Sequence, residues 1–257
     1  MVANRTEATG PDEHRSRYWS ESEAGFRAEL AKHETADVLL GLGEALWWLG
    51  ETERSVGLYR RAYAAYRRDG SADRAAWAAL WLALTYGSDF GNAAAFHGWL
   101  ARASRLLDGP DPSPMHGWLW LVRAYGTSDP PRSLQLAERT LDYARDADDS
   151  DLELCALAHL GKVMVSSARV ESGLALVDEA MAGTFGGERS RLDTVVFTSC
   201  SMIDACDLAA DLERASQWCA AVDDFMLEYG CPFLRARCRG GYGSVLVTTG
   251  RWAEAER

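Results

Sequence analysis

The sequence predicts an all-α fold built from repeated antiparallel helix pairs, and three observations predict it. Forty of the 257 residues are Ala while Ile203 is the one isoleucine, and Val/Thr-rich alternating runs are nearly absent, so extended sheet lacks its usual material. Turn-like clusters recur about every forty residues, at Asp69-Gly70-Ser71, Gly109-Pro110-Asp111-Pro112, Asp148-Asp149-Ser150, Gly186-Gly187-Glu188 and Gly230-Cys231-Pro232. Between the clusters the apolar residues keep helical spacing, divided once per unit by a weaker break.

Taken in order, residues 1–20 are expected to be a flexible segment and 21–257 a single helical-repeat domain. Asn4 to Arg17 mixes both charges without an apolar stripe, which suits a frayed end or a docking tail. The first full unit carries Leu39, Leu42, Gly43 and Leu46, breaks at Gly50-Glu51, and continues through Ser55, Tyr59 and Ala62. Small residues at Gly43 and Ser55 let two helix backbones approach, with Leu42, Leu46 and Tyr59 filling the seam. The second unit breaks at Asp89-Phe90-Gly91 and the third at Ser128-Asp129-Pro130-Pro131. The acidic run Asp142 to Glu153 straddles a loop and the next helix start, where carboxylates complement the helix dipole. The fourth unit repeats the first as Leu157, Leu160, Gly161, Met164, Ala168, Gly173, Val177 and Ala180, with its break at Ala168-Arg169. The fifth breaks at Ala210-Asp211, and an incomplete sixth reads Tyr242, Gly243, Leu246, Gly250, Ala255. An uncovered apolar seam around Tyr242, Val245 and Leu246 gives the expectation of a homodimer through the C-terminal end, its interface including Tyr242 and Trp252, or of a natural continuation of the chain.

Composition excludes several function classes. Hydrophobic residues make up 47% and charged residues 25%, which is ordinary globular usage and rules out wholesale disorder or a fibre. The formal net charge of −11 repels phosphate backbones, so direct nucleic-acid binding by this chain is not expected. No stretch reaches the roughly 18–20 apolar residues of a membrane helix, and Met1 to Glu13 holds no apolar leader core, so a cytoplasmic protein is expected. The six cysteines, all in the second half and without a CxxC pair, read as small core residues of a reducing compartment.

The frame Leu39-x-x-Leu42-Gly43-x-x-Leu46, followed by Ser55, Tyr59 and Ala62, resembles the tetratricopeptide repeat. The units starting near Ala36, Ser150 and Phe233 match best, while those near Asp73, Met115 and Arg191 carry Phe96, Leu121 and Ile203 where that family places small residues. The spacing near forty exceeds the family's usual 34 or so. Gly43-Glu44-Ala45-Leu46-Trp47-Trp48-Leu49-Gly50, Ala79-Leu80-Trp81-Leu82-Ala83 and Gly98-Trp99-Leu100-Ala101-Arg102-Ala103 are similar to the regulatory arms of large LuxR-type bacterial activators. The resemblance implies an all-α, right-handed superhelical solenoid of antiparallel helix pairs, about six units with the last incomplete. Neither a helix-turn-helix opening nor a GxxxxGK[ST] phosphate loop is visible, so the effector-sensing arm is expected to stand without them.

The same resemblance implies that first helices line a concave face. The candidates on it are Glu44, Trp47 and Trp48 from unit one, Trp81 from unit two, and Trp118 and Tyr125 from unit three. Lys162 comes from unit four, Phe197, Cys200, Asp204 and Asp207 from unit five, and Arg237 from unit six. The tryptophans make an apolar floor for a ligand or peptide, or else fill the space that alanines leave. Lys162 suits a ligand carboxylate or Asp204, or is a solvated charge. Asp204 and Asp207 share a helix face fit for a cation or ligand amine, or form a wet acidic surface.

Catalytic chemistry has little support. None of His14, His33, His97, His116 and His159 takes an inner position in this frame, and Cys155 with His159 lacks a second ligand pair, so no catalytic residue, metal or cofactor is expected. The expected function is a non-catalytic binding and regulatory module that holds a peptide or protein partner, or a small organic effector, in an aromatic groove, linked to bacterial transcriptional regulation. The alternative is a small-molecule enzyme or metabolite-sequestering protein of specialised metabolism using the same groove, with Cys200 and the inner-face acids as its support.

Overall fold

Every turn cluster read from the sequence separates two helices. The computed structural model describes residues 17–109 and 113–256. Among the described residues there are thirteen α-helices and no strand: α1 (Arg17–Lys32), α2 (Ala36–Trp48), α3 (Thr52–Arg68), α4 (Ala72–Ser88), α5 (Ala93–Leu106), α6 (Met115–Tyr125), α7 (Pro130–Asp146), α8 (Ser150–Ser166), α9 (Val170–Gly186), α10 (Asp193–Ala209), α11 (Leu212–Tyr229), α12 (Pro232–Thr248) and α13 (Trp252–Ala255). Side-chain oxygens close several helix starts: Thr35 accepts from the Val38 N–H, Asn92 from Ala95, Asp149 from Leu152 and Asp211 from Arg214. Asp149 thus gives the acidic run between α7 and α8 its local purpose. His14, most of the charged Asn4 to Arg17 segment, and Pro110, Asp111 and Pro112 of the second turn cluster lie outside the described residues.

One boundary differs from expectation. Residues 17–20, placed in the flexible segment, belong to α1, and Trp19 is buried there with its ring stacked on Trp48 at 4.9 Å and 8°. Phe26, whose ring lies where a Gly41 Cβ would be, adds a second contact between α1 and α2.

Each helix packs against its neighbour in sequence, and α4, α6, α8, α10 and α12, the first members of their pairs, also touch in succession. Glycine decides how closely the pairs approach. A Cβ on Gly161 would stand 2.5 Å from the carbonyl oxygen of Gly173, and one on Gly43 would stand 2.9 Å from the Tyr59 ring. Two of the three bulky residues found where small ones were expected are accommodated by glycines elsewhere. Phe96 lies where Cβ atoms on Gly87 and Gly126 would be, and Ile203 where one on Gly241 would be. Large and small have changed places across the seam, and the packing is preserved.

Among the described residues, α1 and α2 meet α11 and α12. Gly230 and Cys231, both with positive φ, turn the chain sharply before α12, placing Pro232 3.2 Å from where a Gly50 Cβ would sit. Phe233 reaches Trp47 at 5.6 Å between centroids, Phe225 reaches Trp48 at 6.2 Å, and Tyr229 reaches Tyr18 at 5.8 Å. Further along, Phe197 of α10 faces Trp81 of α4 at 6.1 Å across the interior. Of the residues expected at a C-terminal interface, Trp252 is 67% exposed, its indole donating to the Val247 carbonyl at 3.2 Å, and Tyr242 is half-buried. None of the helices is long and apolar enough to cross a membrane.

Candidate functional site

The meeting of these helices leaves an interior space. A cavity of about 560 Å3 lies among α2, α4, α5, α6, α8, α10 and α12. Its walls are largely aromatic because α2, α4, α6, α10 and α12 each contribute a ring, while α8 contributes Lys162. Trp47 and Trp81 meet edge to face at 5.6 Å, Phe197 stacks on Tyr125 at 5.9 Å and 8°, and Phe233 and Phe96 line it as well, with exposed residues such as Ser88 and His97 at its open side. Trp47 and Trp81 are only 4% and 6% exposed, so each is both core and cavity floor.

Polar groups punctuate that surface. Asp89, at the end of α4, accepts from the Trp47 indole N–H at 3.2 Å and from the Thr52 hydroxyl at 3.4 Å, and burial holds its carboxyl above the usual range. On the opposite wall the Arg237 guanidinium pairs with the Asp204 carboxylate. Lys162 of α8 stands nearby with neither a hydrogen bond nor a salt bridge among the described residues. Burial draws its pKa down and Arg237 draws it further, while Asp204 and Cys200 oppose them. Burial pushes the Cys200 thiol up to about 12, so it stays protonated at neutral pH and is a poor nucleophile. Two buried hydroxyls on the wall, Thr85 Oγ1 and Tyr125 Oη, have no hydrogen-bond partner.

A second cavity of about 370 Å3 adjoins the first and shares Tyr125, Lys162 and Asp204 with it. It adds Asp207, which accepts from the Ser244 hydroxyl at 2.9 Å, and His159. The Ser133 hydroxyl donates to the Ala124 carbonyl at 3.0 Å, so it accepts from His159 Nε2–H at 3.0 Å and leaves Nδ1 as a buried acceptor without a partner. Burial holds the His159 imidazole well below its ordinary pKa, and thus neutral.

Eight of the candidates read from the sequence line the larger cavity: Trp47, Trp81, Tyr125, Lys162, Phe197, Cys200, Asp204 and Arg237. Asp207 lines the smaller one. Trp48 lines neither, because α1 covers that face of α2 and Trp19 stacks on the indole, leaving it 1% exposed. Trp118 packs below the cavity, against Trp77 at 5.4 Å and Phe197 at 6.2 Å. Glu44 belongs to a separate interior group. There Arg191 forks onto Asp193 at 2.9 and 2.7 Å and lies over the Trp77 ring at 4.4 Å. Burial, then Asp193, pushes the Glu44 carboxyl up to about 7 against the pull of Arg191.

The histidines depart from expectation. His97, at the start of α5, lines the larger cavity and His159 the smaller, because second helices and the flank of α8 also contribute to the walls. Asp89, Phe96 and Phe233 were also not singled out as site residues. Asp89 and Phe96 sit at a turn and on a second helix, and Phe233 joins the wall only because α12 packs back against α2. Among the described residues no three His, Cys, Asp or Glu side chains converge as metal ligands would. No protein-family model matches this chain, and no curated protein matches it.

Proposed function

We propose that this chain is a non-catalytic binding module of the tetratricopeptide-like solenoid type, which holds a small organic effector in its interior aromatic cavity. The observation that carries this reading is a cavity of about 560 Å3, the size range of small-molecule sites, lined by Trp47, Trp81, Tyr125, Phe197 and Phe233. Contact between Trp47 and Phe233 favours a small effector over an extended peptide, since a groove bridged at its ends gives a peptide no continuous path. The protonated Cys200 thiol favours binding over nucleophilic catalysis. By its resemblance to LuxR-type regulatory arms, the setting is bacterial transcriptional control in the cytoplasm. Occupancy of the cavity then stabilises the contact between α2 and α12, and another domain or chain reads the DNA.

Native mass spectrometry against a panel of small aromatic compounds tests the reading. It expects 1:1 adducts that weaken markedly in Cys200→Phe, whose added ring takes up space beside Phe197 and Arg237 in the cavity. Adducts of unchanged strength in a folded Cys200→Phe protein would place binding elsewhere and overturn it.

A further inference from the structure

The geometry points to an organic anion with a flat apolar body, such as an aromatic carboxylate, as the ligand class of the interior cavity, with Lys162 as its anchor. This rests on the cavity being a binding site and specifies what it binds.

Asp204 is engaged by Arg237, and Asp89 is satisfied by the Trp47 indole and the Thr52 hydroxyl. Lys162 alone among the charged groups lining the cavity has neither a hydrogen bond nor a salt bridge within the described residues. It is half-buried, and burial disfavours its charged form, with Asp204 opposing and Arg237 adding to that effect. Two cations, Lys162 and Arg237, thus share the one Asp204 carboxylate, which is already paired with Arg237, and a bound anion supplies the further counter-charge.

Independent observations describe the rest of the ligand. Tyr125 Oη and Thr85 Oγ1 are buried hydroxyls without partners on residues that line the cavity, and a small side-chain rotation lets them donate to an oxygen of the occupant. The remaining surface is aromatic, and the Phe197 ring, half-buried and stacked on Tyr125, offers a face suited to a planar body. A flat ring with one carboxylate satisfies the cation, the hydroxyls and the aromatic walls together. A neutral ring leaves Lys162 uncompensated, and an aromatic amine places a second cation beside it.

Quenching of tryptophan fluorescence by 2-naphthoate, 2-naphthamide and 2-naphthylmethylamine separates these cases, because Trp47 and Trp81 border the cavity. The expected result is that naphthoate binds at least tenfold more tightly than either analogue. Lys162→Met should remove that preference, with naphthoate affinity falling tenfold or more and naphthamide affinity almost unchanged. Phe197→Ala should weaken both. Equal affinities for the three probes, tighter binding of the amine, or unchanged naphthoate affinity in a folded Lys162→Met protein would overturn the anion assignment while leaving the cavity a binding site. Failure of all three probes to bind at millimolar concentration would overturn the assignment together with the site on which it rests.

Discussion

Gly161 of α8 and Gly173 of α9 meet backbone to backbone, each standing where the other's Cβ would be, 2.5 Å from the opposing carbonyl oxygen. A methyl on either residue must push a main chain aside, which flexible side-chain contacts do not require. Gly161→Ala and Gly173→Ala are therefore each expected to lose about 1–3 kcal/mol or somewhat more despite better helix propensity. Gly98, which has nothing within 4 Å of its Cβ position in the middle of α5, is the control, and Gly98→Ala should gain about 0.5–1 kcal/mol. Urea midpoints of the three variants check this, and destabilisation of all three alike would show that the seam is not what the glycines serve.

Gly126 plays the corresponding part at the cavity. Its Cβ would fall on the Phe96 ring, so Gly126→Ala should displace that ring and cost about 1–3 kcal/mol. Phe96→Leu removes the far edge of the ring, and the double variant should lose less than the sum of the singles by about 0.5 kcal/mol or more. Strict additivity would mean that the two residues do not share the space.

Trp19 ties α1 to the rest of the molecule through its stack on Trp48. Trp19→Ala should cost about 3–5 kcal/mol, as the loss of a buried aromatic ring does. A Tm within a degree of the parent would show that α1 contributes nothing to the folded state.

Stability should also depend on the Glu44 carboxyl, which is pushed up to about 7 from an ordinary 4.5. Below pH 4.5 it is protonated in both folded and unfolded chains and makes no difference. Between 4.5 and 7 the unfolded chain has released the proton that the folded chain keeps, so rising pH lowers stability across that window and the loss levels off above it. The loss amounts to at most about 3 kcal/mol. Glu44→Gln should remove this slope, its advantage over the parent growing across the window and then holding constant. Parallel stability–pH curves for the two proteins would contradict the burial of an ionisable Glu44.

The helix pairs were legible because Gly, Pro and Asp clusters interrupt helical spacing, and each such cluster proved to be a linker. The start of α1 was not legible, since Trp19 has its partner in another helix and local composition around it is polar. Phe96 and Ile203 looked like departures from the repeat because Gly126, at the end of α6, and Gly241, in α12, which make room for them, lie far from them in sequence and no local pattern pairs them. At the site, Trp47, Trp81, Phe197 and Lys162 could be placed on inner faces from their register. Trp48 could not be told from Trp47 without knowing that α1 covers it. Phe233 joined the wall only because α12 packs back against α2, a contact between residues far apart in the sequence.

The most direct test of the central claim is a crystal structure of the protein soaked or co-crystallised with 2-naphthoate. The account predicts the naphthyl ring in this cavity, against the Phe197 ring, with its carboxylate on Lys162 Nζ. A well-ordered naphthoate bound outside this cavity, with the interior unchanged and empty, would contradict it.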